Sequence, residues 1–318
     1  MGRYVAGEAP EMDRLVDETI KGIGAEIDSL GVPRLQGVVL GGGYGRGEGG
    51  VRRSEPEGES ALSNDLDFFA VTEERTAAAE IAAIGAALEP VSRRWTDRLG
   101  IDVDFTVRTP WRLRHDQTRV MIQELIHGYF DVAGKKGAEM FRGIENRPPS
   151  AFPWSEAVRL LVNRGVGLLL AAERRSTDDF VLRNINKCIL GAGDALLIAR
   201  GNYRWKAADR AAALGDSLYS AALDWKFRPQ AKGVCDWETA QGVWLKAVEA
   251  VIAAGRRTGA MRRTPYQAVR WIVRRRTVGD WRTFGYGAVV RILLKLVGTV
   301  RNRHPLLPSL RRDWEIFN

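Results

Sequence analysis

Cysteine is nearly absent from this 318-residue chain: only Cys188 and Cys235 occur, far apart. That excludes a disulfide scaffold and a close-spaced cysteine metal site, and it fits a reducing cytoplasm. Histidine is scarcer than its catalytic reputation would ask. His115, His127 and His304 are scattered, with no metal-ligand spacing and no nucleophile beside them. The N-terminal stretch MGRYVAGEAPEMDR lacks the apolar run of a signal peptide, and Ala6 stands where a myristoylation motif wants Ser or Thr. The strongly apolar stretch Ala288 to Val300 carries Arg291 and Lys295 and is too short and too charged for a transmembrane span. There is no internal repeat and no extended low-complexity segment.

What is present is an ordinary globular composition, 45% apolar and 27% charged, long enough for about two domains. The net charge of +9 is unevenly spread. From Val251 to Asn318 fifteen Lys or Arg face three acids (Asp280, Asp313, Glu315), a balance of +12, which leaves −3 for the rest. The basic character belongs to the C-terminal stretch, which can meet phosphates of nucleic acid or of a membrane surface.

Hydrophobic spacing predicts a helix over Glu11 to Leu30, with Leu15, Ile20, Ile23 and Ile27 on one face, ended by Gly31-Val32-Pro33. A strand over Leu35 to Leu40 feeds the glycine-rich run Gly41 to Gly50. VRRSEPEGESALSN then reads as a polar loop, Asp65 to Val71 as a strand, Glu74 to Leu99 as an alanine-rich helix, and Ile101 to Val107 as a third strand. Thr109 to Pro149 has no clear period. Pro148, Pro149 and Pro153 mark a boundary, and beyond it the chain reads as helices to about Ala254, including Asn184 to Ala199. The boundaries expected are an α/β domain over 1–150, a helical bundle over 151–255, and a basic, partly amphipathic tail over 256–318.

Three pieces carry chemistry. In VVLGGGYGRGEGG the glycines let backbone approach a ligand and adopt positive φ, and amides at such a turn can bind phosphate. The run matches neither the Walker nor the dinucleotide-binding pattern. In Asn64-Asp65-Leu66-Asp67-Phe68-Phe69 a strand places Asp65 and Asp67 side by side on one face, with Phe69 and Val71, while Leu66, Phe68 and Ala70 fill the other. Adjacent carboxylates call for a cation, and oxygen ligands suit Mg²⁺. In Ile101 to Arg108, Asp102, Asp104, Thr106 and Arg108 share a face opposite Ile101, Val103, Phe105 and Val107. A half-exposed strand is the plain alternative for each acidic strand, as a flexible loop is for the glycines.

In this order the pieces resemble the nucleotidyltransferase superfamily related to DNA polymerase beta, in its minimal form. That family carries G-S-x-A-R-G followed by S-D-x-D-hydrophobic. Gly42-Gly43-Tyr44-Gly45-Arg46-Gly47-Glu48 takes the first part, Asn64-Asp65-Leu66-Asp67-Phe68 the second, and Val103-Asp104-Phe105 the third-strand position. A weaker likeness to the helical bundle of such enzymes runs through Pro153 to Ala157 and Leu160 to Arg164. The resemblance implies an α+β fold, a small mixed-sheet nucleotidyltransferase domain followed by an α-helical bundle. It implies transfer of a nucleoside monophosphate from a nucleoside triphosphate to a hydroxyl, with release of pyrophosphate and Mg²⁺ or Mn²⁺ as cofactor. Asp65, Asp67 and Asp104 are the implied catalytic residues and metal ligands, with Asp102 open as an alternative third carboxylate. Gly42, Gly43, Arg46 and Lys187 are the implied nucleotide-binding residues; Lys187 shares a helix stripe with Gly191 and Asp194, and Tyr203 follows.

Two departures stand out. Gly43 replaces the family's serine, and the interval to Asp65 is long, as if VRRSEPEGESAL were an inserted surface loop. The acceptor stays open: a small molecule such as an aminoglycoside-like sugar, a tRNA, or a protein. A second reading keeps the fold without turnover, as a module binding RNA, a membrane or a partner through the basic tail. Peripheral attachment to an anionic membrane, RNA binding, and packing on the bundle all fit Ala288 to Val300 and the Arg-Trp stretch before it. Cys188, amid Ile185, Ile189 and Leu190, reads as core.

Overall fold

The computed structural model describes residues 2–53, 60–174, 179–260, 285–302 and 311, with the side chains of 285–291 outside the description. The chain divides into two compact units, Met1–Arg147 with Phe227–Pro229, and Pro148–Lys226 with Gln230–Asn318. The first is mixed α and β, and the second is helical.

In the first unit, α1 (Pro10–Leu30) starts with proline in its first turn and acids Glu11 and Asp13 at its N-terminal end, where the helix dipole favours them. It stops at Gly31, whose φ of 54° is the left-handed cap conformation. Strands β1 (Leu35–Leu40), β4 (Leu66–Thr72), β5 (Val103–Arg108) and β6 (Phe130–Gly134) form one sheet in the order β5-β4-β1-β6. β1 runs antiparallel to β4 and β6, and β4 runs parallel to β5. The parallel pair is joined by α3 (Ala78–Leu99), the crossover that such a pair requires.

Strand alternation sorts the side chains into two cores. Leu66, Phe68 and Ala70 of β4 join Val103 of β5 and the apolar faces of α1 and α3. Phe69 and Val71 face the other way, onto Leu113 of α4 (Pro110–His115), Ile122 and Leu125 of α5 (Val120–His127), and Met140 of α6 (Gly137–Met140). Each such fully buried side chain contributes about 1.5–3 kcal/mol, so a slip of one residue, which would exchange the two sets, is strongly disfavoured.

The stretch expected as a polar loop is in part a hairpin. β2 (Val51–Arg53) and β3 (Ser60–Leu62) pair antiparallel as Val51 with Leu62, Arg52 with Ala61 and Arg53 with Ser60. The unassigned region from Thr109 to Pro149 holds α4, α5, β6 and α6.

In the second unit, α7 (Trp154–Glu173), α8 (Asp179–Ala199), α9 (Ala207–Leu214), α10 (Ser217–Phe227), α11 (Trp237–Arg257) and α12 (Gly285–Arg301) are present. Gly165 on α7 has Trp244 of α11 and Leu296 of α12 so near that a Cβ there would collide with both, so the helices approach on bare backbone. Buried and half-buried indoles find acceptors: Trp244 Nε1 donates to Leu161 O at 2.9 Å, Trp237 Nε1 to Leu168 O at 2.8 Å, and Trp154 Nε1 to Val251 O at 2.7 Å. α12 comes from the stretch expected as a basic tail. Its Leu293, Leu296 and Val300 are buried, it packs on α7 and α11, and Gln241 Nε2 donates to Val300 O at 2.6 Å. That part of the stretch is thus packed on the bundle; its Lys295 stays exposed, and the Arg-Trp run of 261–284 lies outside the described residues. Among the described residues no helix is long and apolar enough to cross a membrane.

Candidate active site

The register of the parallel pair places Asp67 of β4 directly beside Asp104 of β5. Partners in register project to the same side of a sheet, so both carboxylates leave the face that carries Phe69 and Val71. Both are exposed, because α4 to α6 cover that face only over the apolar residues further along. Asp65, half-buried, lies one residue before β4. Asp102 precedes β5 and has no partner in the register; its carbonyl accepts from Leu66 N at 2.9 Å. Asp104 is thus the acid opposite Asp67.

The start of β5 is pinned by α3. Ser92 Oγ donates to Val103 O at 2.6 Å, and Val103 N donates to Thr96 Oγ1 at 3.0 Å. Partial loss of solvent, followed by the negative charges of Asp102, Asp65 and Glu89, raises the pKa of Asp104 above its ordinary value. The carboxyl group therefore holds a proton more readily than an isolated aspartate.

The glycine run after β1 makes one short helical turn, α2 (Gly42–Gly45). Gly41 N donates to Asp67 O at 2.8 Å, which fastens the turn to β4. Gly42 must be glycine for two reasons. Its φ is 61°, and a Cβ there would run into the Asp67 carboxylate. Backbone therefore lies against the acid with no side chain between. The first amides of a helical turn have no partner within it, which suits an anion. Gly43 is different: its φ is not in the left-handed region, and a Cβ would sit 3.3 Å from Glu48 O, a tight contact.

Tyr44 is the residue that the sequence reading passed over. It is wholly buried; its hydroxyl donates to Gly50 O at 2.9 Å and accepts from Ser63 N at 3.3 Å and Asn64 N at 3.5 Å. Burial pushes its pKa up to about 12, with the negative charge of Asp65 adding to the effect against the two backbone donors. One hydroxyl thus joins the end of the glycine run to the residues just before Asp65. Asn64 adds to the clamp, its Oδ1 accepting from Gly50 N at 2.6 Å. The N-terminal segment braces the same run: Ala6 N donates to Gly49 O at 2.8 Å, and Gly49 N to Tyr4 O at 3.0 Å. Tyr4 is held in turn by α1, its N donating to Asp13 Oδ1 at 2.8 Å and its hydroxyl to Asp17 Oδ1 at 2.9 Å.

Arg46 is mostly enclosed. Its guanidinium meets Glu48 Oε2 at 3.5 Å and Glu124 Oε2 at 3.2 Å, and its side chain packs where a Cβ on Gly128 would otherwise go. Contact with phosphate would have to share a cation that already serves two carboxylates. Lys187 is exposed on α8 and belongs to the second unit, whereas Asp65, Asp67, Asp104, Gly42, Gly43 and Arg46 belong to the first. Its expected stripe partners have structural partners: Gly191 packs under Arg164, and Asp194 accepts from Tyr219 Oη at 2.7 Å and pairs with Arg210. Tyr203 is core, in edge contact with Phe152 and Trp205. Cys188 is buried, as expected of a core residue. His115 stacks on Trp111 and meets Asp116, and His127 Nδ1 lies 2.7 Å from Gln123 O.

The donor set is what a hard divalent cation prefers, carboxylate oxygens only, on neighbouring strand positions. The side chains are not drawn in around a centre: among the described residues no group of three or more His, Cys, Asp or Glu is gathered closely enough to hold a metal. The fit thus lies in donor chemistry and strand register, with Asp67 and Asp104 as its firmest pair.

Comparison with protein-family models finds none that matches this chain, and comparison with curated proteins finds no match either.

Proposed function

We propose that the first unit is a nucleotidyltransferase that moves a nucleoside monophosphate from a nucleoside triphosphate to a hydroxyl acceptor. The observation that carries this reading is the pairing of Asp67 with Asp104 in register, with the bare backbone of Gly42 against the Asp67 carboxylate. Phosphoryl transfer needs these two things together: negative oxygens that can share a cation, and a close-approaching backbone for the phosphates.

In this reading the amides of Gly42 and Gly43 receive the triphosphate. Asp65, Asp67 and Asp104 would hold a divalent cation, Mg²⁺ or Mn²⁺, which when bound would neutralise phosphate charge. Asp104, beside the acceptor, takes the proton of the attacking hydroxyl. The acceptor oxygen forms a bond to the α-phosphorus, the bond from that phosphorus to the bridging oxygen breaks, and pyrophosphate leaves. Tyr44 positions Asp65 through the Ser63 and Asn64 amides and does not touch the reacting atoms.

The test is incubation of the full chain with each α-³²P nucleoside triphosphate, Mg²⁺ or Mn²⁺, and a cell extract, beside the Asp65→Asn/Asp67→Asn variant. Label transferred by the wild type alone supports the reading, and its mobility tells whether the acceptor is RNA, protein or a small molecule. Equal labelling by both proteins, or none with any nucleotide from folded protein across extracts, sinks it and favours a binding role.

A further inference from the structure

The face of β5 that carries Asp104 continues through Thr106 to Arg108. In the register Thr106 lies beside Phe69 and Arg108 beside Val71. Phe69 and Val71 are buried under α4 to α6, whereas Thr106 and Arg108, on the edge strand, remain half-exposed. A strip of polar side chains therefore runs from the carboxylates to an arginine four residues on, about 13 Å along the strand.

Arg108 is half-buried. Its guanidinium donates to Val107 O at 3.0 Å, the carbonyl of the residue before it, and among the described residues no carboxylate forms an ion pair with it. The nearest acid in charge terms is Asp116, which already meets Arg112 at 2.8 Å, His115 at 3.2 Å and Arg119 at 3.7 Å. Burial, then the positive charge of Arg112, lowers the pKa of Arg108. A half-buried cation whose side-chain bond goes to a neutral carbonyl is costly unless an anion completes it. The planar fork of arginine suits phosphate oxygens.

We propose that Arg108 binds a phosphate group of the acceptor substrate, so that the acceptor is a phosphate-bearing molecule whose hydroxyl lies at Asp104. The phosphate site stands on Arg108 itself; its assignment to the acceptor rests on the nucleotidyltransferase reading above. The separation of the two residues fits a phosphate one or two sugar units from the reacting hydroxyl.

The experiment is thermal unfolding of the full chain against inorganic phosphate, with acetate as a parallel arm at equal ionic strength. Wild type, Asp65→Asn, Arg108→Gln and Arg108→Lys are compared, each checked for folding by circular dichroism. Phosphate should raise the midpoint of wild type and Asp65→Asn alike. Its apparent Kd should rise at least tenfold in Arg108→Gln and less in Arg108→Lys, which keeps the charge if the glutamine variant folds poorly. Equal stabilisation of Arg108→Gln, no stabilisation of any protein, or equal stabilisation by acetate overturns the phosphate site. Should phosphate bind through Arg108 while no labelled transfer occurs, the site stands and the enzyme reading falls. Where an acceptor has been labelled, Arg108→Gln should raise its KM about tenfold and leave the KM for the triphosphate unchanged; the opposite pattern removes the acceptor assignment.

Discussion

Asp67 and Asp104 stand side by side on adjacent parallel strands, each exposed, with Asp65 close enough to press its charge on Asp104. The arrangement works against folding and in favour of cation binding. The folded-state pKa of Asp104 is raised, so the folded protein binds a proton that the unfolded chain releases more easily. Its contribution to stability is present below the ordinary aspartate pKa and is lost as pH rises through the raised value. Asp104→Asn should therefore be at least as stable as wild type in urea at neutral pH, while labelled transfer disappears. A lower urea midpoint would count against the repulsion.

Gly42→Ala is expected to cost more than an ordinary surface change. Left-handed backbone costs an alanine about 1–2 kcal/mol, and the added methyl must push the Asp67 carboxylate aside. Urea unfolding should show a loss of that size or more, and nucleotide protection against unfolding should vanish with it. Gly31→Ala, at a helix cap with φ of 54° and nothing near its Cβ, shares the backbone strain but should leave nucleotide protection intact.

Gly43→Ser would place at the turn the hydroxyl that the nucleotidyltransferase motif carries. The new Cβ has its one tight contact with Glu48 O at 3.3 Å, so stability should change by less than about 1 kcal/mol. The KM for the triphosphate should fall several-fold. An unchanged KM in a folded variant would show that the backbone alone serves the phosphates.

Tyr44→Phe removes a buried hydroxyl that bonds Gly50 O, Ser63 N and Asn64 N, while Gly50 O and Ser63 N keep their direct bond to each other at 3.2 Å. A loss of about 0.5–1.5 kcal/mol is expected. Because the clamp sets Asp65, kcat should drop more than KM rises. A stability loss with unchanged kcat would make the tyrosine structural only.

Much of the first unit was legible because its strands bury both faces in strict alternation. Leu35 to Leu40 is observed as expected, and the alternation from Leu66 to Val71 correctly separated the residues of two different cores. What was missed depends on contacts between distant segments. β6 is five residues long, interrupted by Asp131, and draws its pairing from β1. β2 and β3 are three residues each and too polar to show a period. Tyr44 looked like one residue of a glycine turn, since nothing local tells that its hydroxyl reaches Gly50 and Ser63. α12 was ambiguous for a physical reason: an apolar stripe with basic neighbours suits a lipid surface and a helical bundle equally, and only the partners Trp244 and α7 decide.

The tyrosine clamp also separates two kinds of distance. Gly50 and Ser63 are fastened to one oxygen atom, so everything between them is an excursion that leaves and returns at the same place. Residues could be added to or cut from its far end without moving Asp65 relative to Gly42. A pattern that counts positions from the glycines to the aspartates therefore measures the size of a hairpin. The spatial relation it is meant to capture is set elsewhere, by the Tyr44 phenol, the Asn64 amide and the bonds from Ser63 N to Gly50 O and from Gly41 N to Asp67 O, and is indifferent to that count.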